Sequence, residues 1–122
     1  MTVVLWVVQV LLAAMFLPAG VLHGFQYERA RVQLKWPAAI PRNVMTFIGV
    51  SEILGAAGLI LPALTRSLPW LTPLAAMGIA IMMVLAIGFH FTRREYPNIV
   101  VNVVLLALAA FVAYGRFVVA PL

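Results

Sequence analysis

The chain has 122 residues, 66% of them hydrophobic and only 9% charged, where a soluble domain carries roughly a quarter charged residues. With a mean hydropathy of +1.13, that balance excludes both a water-soluble monomer and a disordered chain. There is no cysteine, so disulfides, thiolate metal sites and thiol chemistry are excluded, and the net charge of +5 is spread around apolar stretches with no basic stripe, which argues against nucleic acid as a partner.

Crossing a hydrocarbon core takes about 20 apolar residues in a helix, and four stretches qualify. The first, residues 3–25, contains Pro18 and Gly20, which predict a kink toward its end. No positive charge precedes it and it is long for a signal segment, so it is expected to stay in the protein. Residues 26–43, QYERARVQLKWPAAIPRN, form the one sizeable polar segment. Tyr27, Ala30 and Leu34 share a helical spacing there. The segment reads either as a short interfacial helix anchored by Trp36 or as a charged loop.

The second span covers residues 44–64, with Pro62 expected to close it. A tight turn at 65–69 leads to the third span, 70–91, whose Pro73 fits a first helical turn. A second tight turn, 92–97, leads to the fourth span, 99–119. Trp6, Tyr27, Trp36, Trp70, Tyr96 and Tyr114 fall near span ends, as in an aromatic belt. Backbone groups inside lipid must be paired internally, and no span shows the two-residue alternation of a barrel strand. The prediction is an all-α transmembrane four-helix bundle with antiparallel up-down topology, residues 1–122 forming one membrane domain.

Orientation follows from charge. Arg29, Arg31, Lys35, Arg42, Arg93 and Arg94 lie on one side, and only Arg66 and Arg116 on the other. The richer side is expected to be cytoplasmic, which leaves both termini non-cytoplasmic. Arg29, Arg31, Lys35, Arg93 and Arg94 are then placed to meet anionic lipid head groups.

Ionisable groups inside a bilayer are costly and face the bundle interior. Glu52 lies eight residues after Val44, roughly 12 Å into the membrane at 1.5 Å per residue. Gly49 and Gly55 flank it, each three residues away, and let a helix or a flat ligand approach closely. His23, His90, Asn98 and Asn102 sit toward the same side of the membrane in the other three spans. Glu52, His90 and Asn102, with His23, are therefore expected to form one half-buried polar pocket. Gln9 and Arg116 belong nearer the opposite face, with Arg116 snorkelling to the interface. The pocket has two readings: polar groups bonded to one another to fix helix register, or a site for a quinone-like or lipid-like ligand in which histidine and carboxylate exchange protons. A metal site is disfavoured, because no compact His-x-x-His or Glu-x-x-His pair is present. Gly49, Gly55, Gly58, Gly78 and Gly88 are expected to mark close helix contacts.

FIGVSEILGAAGLILP, Phe47 to Pro62, resembles the signature segment of the DoxX-like family of small four-span membrane proteins. LAAMGIAIMMVLAIGFHFTRRE, Leu74 to Glu95, resembles that family's third span, with His90, Arg93 and Glu95 in place. Lys35 matches a lysine that many members carry before the second span. The likeness runs from about Val10 to Tyr114. It implies a bacterial inner-membrane protein. A related branch supplies a small membrane subunit to a quinone-reducing thiosulfate oxidoreductase, and other relatives are membrane partners in oxidative-stress complexes. The resemblance therefore points to an accessory protein, a quinone- or lipid-binding subunit beside a membrane or peripheral oxidoreductase, without assigning a reaction. Two alternatives stand beside it: a small transporter or permease subunit with a Glu52–His90 relay running on toward Gln9, and a purely structural membrane partner. An independent enzyme is the weakest reading, because Ser51, Ser67 and the threonines have no histidine at short sequence range.

Overall fold

The computed structural model describes residues 1–34 and 40–122. Lys35 and Trp36, and with them the proposed anchor and one of the lipid-contacting cations, lie outside the described residues, as does the Arg31 side chain. Five α-helices follow in chain order: α1 (Thr2–Phe25), α2 (Tyr27–Leu34), α3 (Arg42–Thr65), α4 (Leu71–Thr92) and α5 (Tyr96–Tyr114), the last running on as a π-helical turn, Gly115–Val119. Among the described residues α1, α3, α4 and α5 with its extension are long and apolar enough to cross a membrane. At 1.5 Å per residue a helix of 24 residues, such as α3, is about 36 Å long, enough to span a hydrocarbon core with some tilt.

Contacts between neighbours fix the direction of each helix. Gln9 meets Leu59 while His23 meets Glu52, so α1 and α3 are antiparallel. The faces of Gly55 and Gly58 meet Ile79 and Ala75, so α3 and α4 are antiparallel too. Gly115 lies against Leu5, which runs α5 opposite to α1. The helices close a ring in the order α1, α3, α4, α5. Each contributes one stripe to the interior: Leu5, Leu12 and Phe16; Ala56 and Leu59; Ala76, Ile79 and Met83; Leu105, Ala109 and Val112. The outer faces are also apolar, with Val7, Leu11, Leu54, Ile81 and Val104 all exposed. Such an envelope is a liability in water and the natural surface for lipid.

Local chemistry sets the helix ends. α2 forms over the segment whose spacing was helical; Ala30 is fully buried beneath it, and the Tyr27 hydroxyl donates to Ile40 O at 2.7 Å. Arg66 ends α3 with φ 56°, a left-handed cap that usually falls to glycine. Pro62 does not close α3 as expected; the helix continues through it to Thr65. A proline leaves the carbonyl four residues before it without a helical donor. Here that carbonyl is Gly58 O, and the Thr72 hydroxyl of α4 donates to it at 3.0 Å. The missing bond is thus remade between helices, which is how prolines are tolerated inside bilayers. The helix that carries the fourth span begins at Tyr96, with Pro97 in its first turn.

Gly49, Gly55 and Gly58 are contact points, but Gly78 and Gly88 are not. A side-chain carbon added at either would meet nothing within 4 Å, and both lie on the exposed face of α4. The tightest approach is between α1 and α3. A Cβ at Gly49 would collide with the backbone of Gly24 and come within 2.6 Å of Gly20 O.

Candidate functional site

Two polar clusters sit inside the bundle, one toward each end. The first begins with the glycine contact between α1 and α3. Because Gly20, Gly24 and Gly49 let the two backbones approach, His23 reaches across to Glu52, and His23 Nδ1 lies 2.6 Å from Glu52 Oε1. Both residues are buried. At that separation one proton is held between imidazole and carboxylate, so the carboxylate is not left alone in an apolar interior.

Beside this pair, on the α2 side of the Gly55–Ile79 contact, residues of α3 and α4 line a cavity of about 440 Å³, within the size range of small-molecule sites. His23, Ser51, Glu52, His90 and Asn102 supply its polar wall. Phe16, Ile48, Met82, Met83, Ala86, Phe89 and Leu105 supply much of the apolar remainder. Phe47 and Leu85 also line it and are exposed on the lipid-facing surface, so the cavity communicates with the apolar belt between α3 and α4.

The polar side chains differ in how well they are satisfied. Ser51 donates back to Phe47 O at 2.8 Å within its own helix. His90 Nδ1 lies 2.9 Å from Glu95 Oε1, which also accepts from Arg93 Nε at 3.0 Å. This clasp closes the turn between α4 and α5, and it places Arg94 in the left-handed region at φ 58°. Burial of Glu95 raises its tendency to hold a proton, but the hydrogen bonds and charges of His90 and Arg93 outweigh that and keep its carboxyl below the usual carboxylate range. Asn102 is different. It is buried at 9% exposure, and its Nδ2 has no hydrogen-bond partner. A buried amide donor without an acceptor is costly and calls for an explanation.

The residues expected to form a pocket divide cleanly. His23, Glu52, His90 and Asn102 line the one cavity. The partner given to Glu52 is His23, whereas His90 is tied to Glu95. Gly49 faces α1 and Gly55 faces Ile79, so both build the walls from behind. Asn98 is half-buried at the start of α5, off the cavity wall. Among the described residues no group of three His, Asp or Glu side chains is placed to hold a metal ion.

The second cluster holds Gln9 and Arg116, which lie toward the opposite face as expected; their bond to each other was not expected. Arg116 does not snorkel: it is buried at 3% exposure in the π-helical turn. Its Nε donates to Gln9 Oε1 at 2.7 Å, and Gln9 Nε2 in turn donates to Leu59 O at 2.7 Å. The sequence signal was present, since Asn102, Leu105, Ala109, Val112 and Arg116 follow one helical stripe.

Comparison with known proteins returns one finding. The model of the DoxX-like family matches residues 7–112, nearly the whole chain. The chain belongs to that family and is a small multi-pass membrane protein. Neither the curated proteins nor the solved structures give a match.

Proposed function

We propose that this DoxX-like protein is a membrane accessory protein that takes an amphipathic quinone from the bilayer into the cavity between α3 and α4. The observation that carries the reading is the buried Asn102 Nδ2, which lacks an acceptor on the wall of a mostly apolar cavity. A quinone carbonyl is such an acceptor. The His23–Glu52 pair lines the same cavity and adds a second polar group of the kind a quinone head group needs. An apolar tail has a way out past Phe47 and Leu85. Oxidation or reduction of the quinone is left to a redox partner, for which this chain acts as a subunit.

The relay reading fares worse. Gln9 and His23 are fourteen residues apart in α1, roughly 21 Å. The buried layer between them is Leu12, Phe16, Ala56, Leu59, Ile79, Met83 and Ala109. That layer offers no proton carrier.

The distribution of cations supports a cytoplasmic position for the α2 end, with both termini on the far side of a bacterial inner membrane, and in that orientation Arg29, Arg93 and Arg94 would meet anionic head groups. A reporter fused after Leu122 should report a non-cytoplasmic C-terminus; a cytoplasmic signal would reverse this orientation.

The binding test is direct. Protein purified in mild detergent is titrated with a short-tailed ubiquinone analogue, and gently isolated protein is extracted for mass spectrometry. Wild type should bind saturably, and Asn102→Leu about tenfold more weakly, as expected for the loss of one buried hydrogen bond. A wild-type protein that carries only phospholipid and shows no saturable quinone binding would refute the reading.

A further inference from the structure

The opposite end of the bundle holds a cation that no acidic side chain among the described residues neutralises. The three acidic residues, Glu28, Glu52 and Glu95, all belong to the α2 side of the protein. Arg116 is 3% exposed. Its Nε is satisfied by Gln9 and its Nη1 by Ala120 O at 3.0 Å, both neutral acceptors. Its Nη2 has no partner. Among the described residues no carboxylate lies within ion-pair distance of it. Trp6 presents its ring 5.9 Å from the guanidinium carbon, which softens the charge without cancelling it. A buried guanidinium with only neutral partners is expensive in an apolar medium, and the missing element is a negative charge.

The surroundings have room for one. Arg116 lines a second, smaller cavity of about 240 Å³ together with Pro69, Trp70, Pro73, Phe117, Pro121 and Leu122. Arg116 lies three residues before the end of the π-helical turn at Val119, about 5 Å along the axis, which is head-group depth and not the bilayer centre. The prolines contribute no backbone N–H to this wall, so the guanidinium is its strongest donor. A planar guanidinium presents paired N–H groups that match two oxygens of a phosphate.

We propose that Arg116 and the Pro69–Pro73 wall form a site for a phosphate-class oxyanion at the end of the bundle opposite the quinone cavity. The bound oxygen accepts from Nη2 and completes the guanidinium's set of partners. The anion comes either from the head group of an anionic phospholipid or from phosphate in solution. This site is independent of the reading given to the Asn102 cavity.

Two of the three tryptophans, Trp6 and Trp70, flank the site, so intrinsic fluorescence reports its occupancy. Detergent-solubilised full-length protein is titrated separately with short-chain phosphatidylglycerol, short-chain phosphatidylcholine and inorganic phosphate. Native mass spectrometry of the same samples counts retained lipid. Phosphatidylglycerol should bind about tenfold more tightly than phosphatidylcholine, reflecting one charge-assisted bond to an uncompensated cation. Saturation by phosphatidylglycerol alone assigns the site to a lipid; equal saturation by inorganic phosphate assigns it to a soluble anion. Gln9→Glu supplies the missing charge from within, beside Arg116 Nε, and should abolish binding while the protein stays folded. Arg116→Gln should abolish it as well. Failure of wild type to bind any of the three, or unchanged phosphatidylglycerol binding in a folded Gln9→Glu protein, overturns the proposal.

Discussion

Replacing Gly49 by alanine adds a single carbon, yet it should disturb both the fold and the candidate site. The new Cβ would overlap the backbone of Gly24 and stand 2.6 Å from Gly20 O. Neither neighbour is a flexible side chain, so relief requires α1 and α3 to move apart by about 1 Å to reach ordinary van der Waals contact. Overpacking of this kind costs about 1–3 kcal/mol. The same separation stretches the 2.6 Å His23–Glu52 contact toward or beyond the hydrogen-bonding limit. Gly78→Ala is the internal control. It is also a glycine in a membrane helix, but an added carbon there meets nothing within 4 Å. Helix propensity alone should make that change neutral or stabilising by up to about 1 kcal/mol. Thermal unfolding in micelles, followed by far-ultraviolet circular dichroism, compares the two variants with wild type. Gly49→Ala should melt several degrees lower and lose quinone retention, while Gly78→Ala should not. If both variants melt together, the close contact between α1 and α3 is not what positions His23.

Glu52→Ala removes one partner of a buried ion pair and should cost about 3 kcal/mol in detergent stability, whereas Glu52→Gln keeps a hydrogen-bonding group beside His23 and should lose less than half of that; equal losses would show that a hydrogen-bonding group of the same size cannot replace the carboxylate beside His23. Thr72→Val should lose about 1 kcal/mol by leaving Gly58 O, freed by Pro62, without its donor, and Thr72→Ser should restore it; identical unfolding curves for the two variants would remove the role given to that hydroxyl. The Glu95 clasp carries a pH signature. Its folded carboxyl is held below the ordinary range by His90 and Arg93 against the opposing effect of burial, so its contribution is present above the unfolded-state value and disappears as pH falls through the folded one. Amide protection factors in residues 93–98, which take out the slowing of intrinsic exchange by acid, should therefore fall on acidification in wild type and not in Glu95→Gln, and a wild-type turn whose protection is insensitive to acid would contradict this.

Much of the fold was legible because the bilayer admits few solutions. Spans of apolar residues must be helices, short turns make neighbours antiparallel, and the glycine-flanked Glu52 had to face inward. Pro62 was misread because its effect depends on what lies across the interface. A proline ends a helix when its freed carbonyl finds nothing, and it is absorbed when a hydroxyl such as that of Thr72 waits on the next helix. The glycines of α4 were misread for a related reason. Gly78 and Gly88 are identical in type to Gly49, and only the rotation of the helix about its axis separates an interface from lipid. Four of the candidate site residues were placed on one cavity by span position alone. Their pairing was not legible: every span offers a polar side chain at nearly the same depth, and the choice of His23 for Glu52 is made by the α1–α3 glycine contact.

Arg116 shows where a rule of depth yields to a rule of phase. Near the end of a span an arginine can reach water by extending its side chain, and depth alone therefore predicts an exposed head group. But Arg116 continues the stripe of Leu105, Ala109 and Val112, so its side chain leaves the backbone pointing at Gln9 and Trp6. In that direction the guanidinium meets only neutral partners, the Gln9 amide, the Ala120 carbonyl and the Trp6 ring. The same phase brings Asn102, fourteen residues earlier on the stripe, inward at the other end. The two orphaned nitrogens of the described interior, Asn102 Nδ2 and Arg116 Nη2, are thus the two ends of one face of α5. Between them lies the apolar layer of Leu105, Ala109 and Val112, so the two proposals call for different chemistry: a neutral acceptor at the amide, and an anion at the guanidinium.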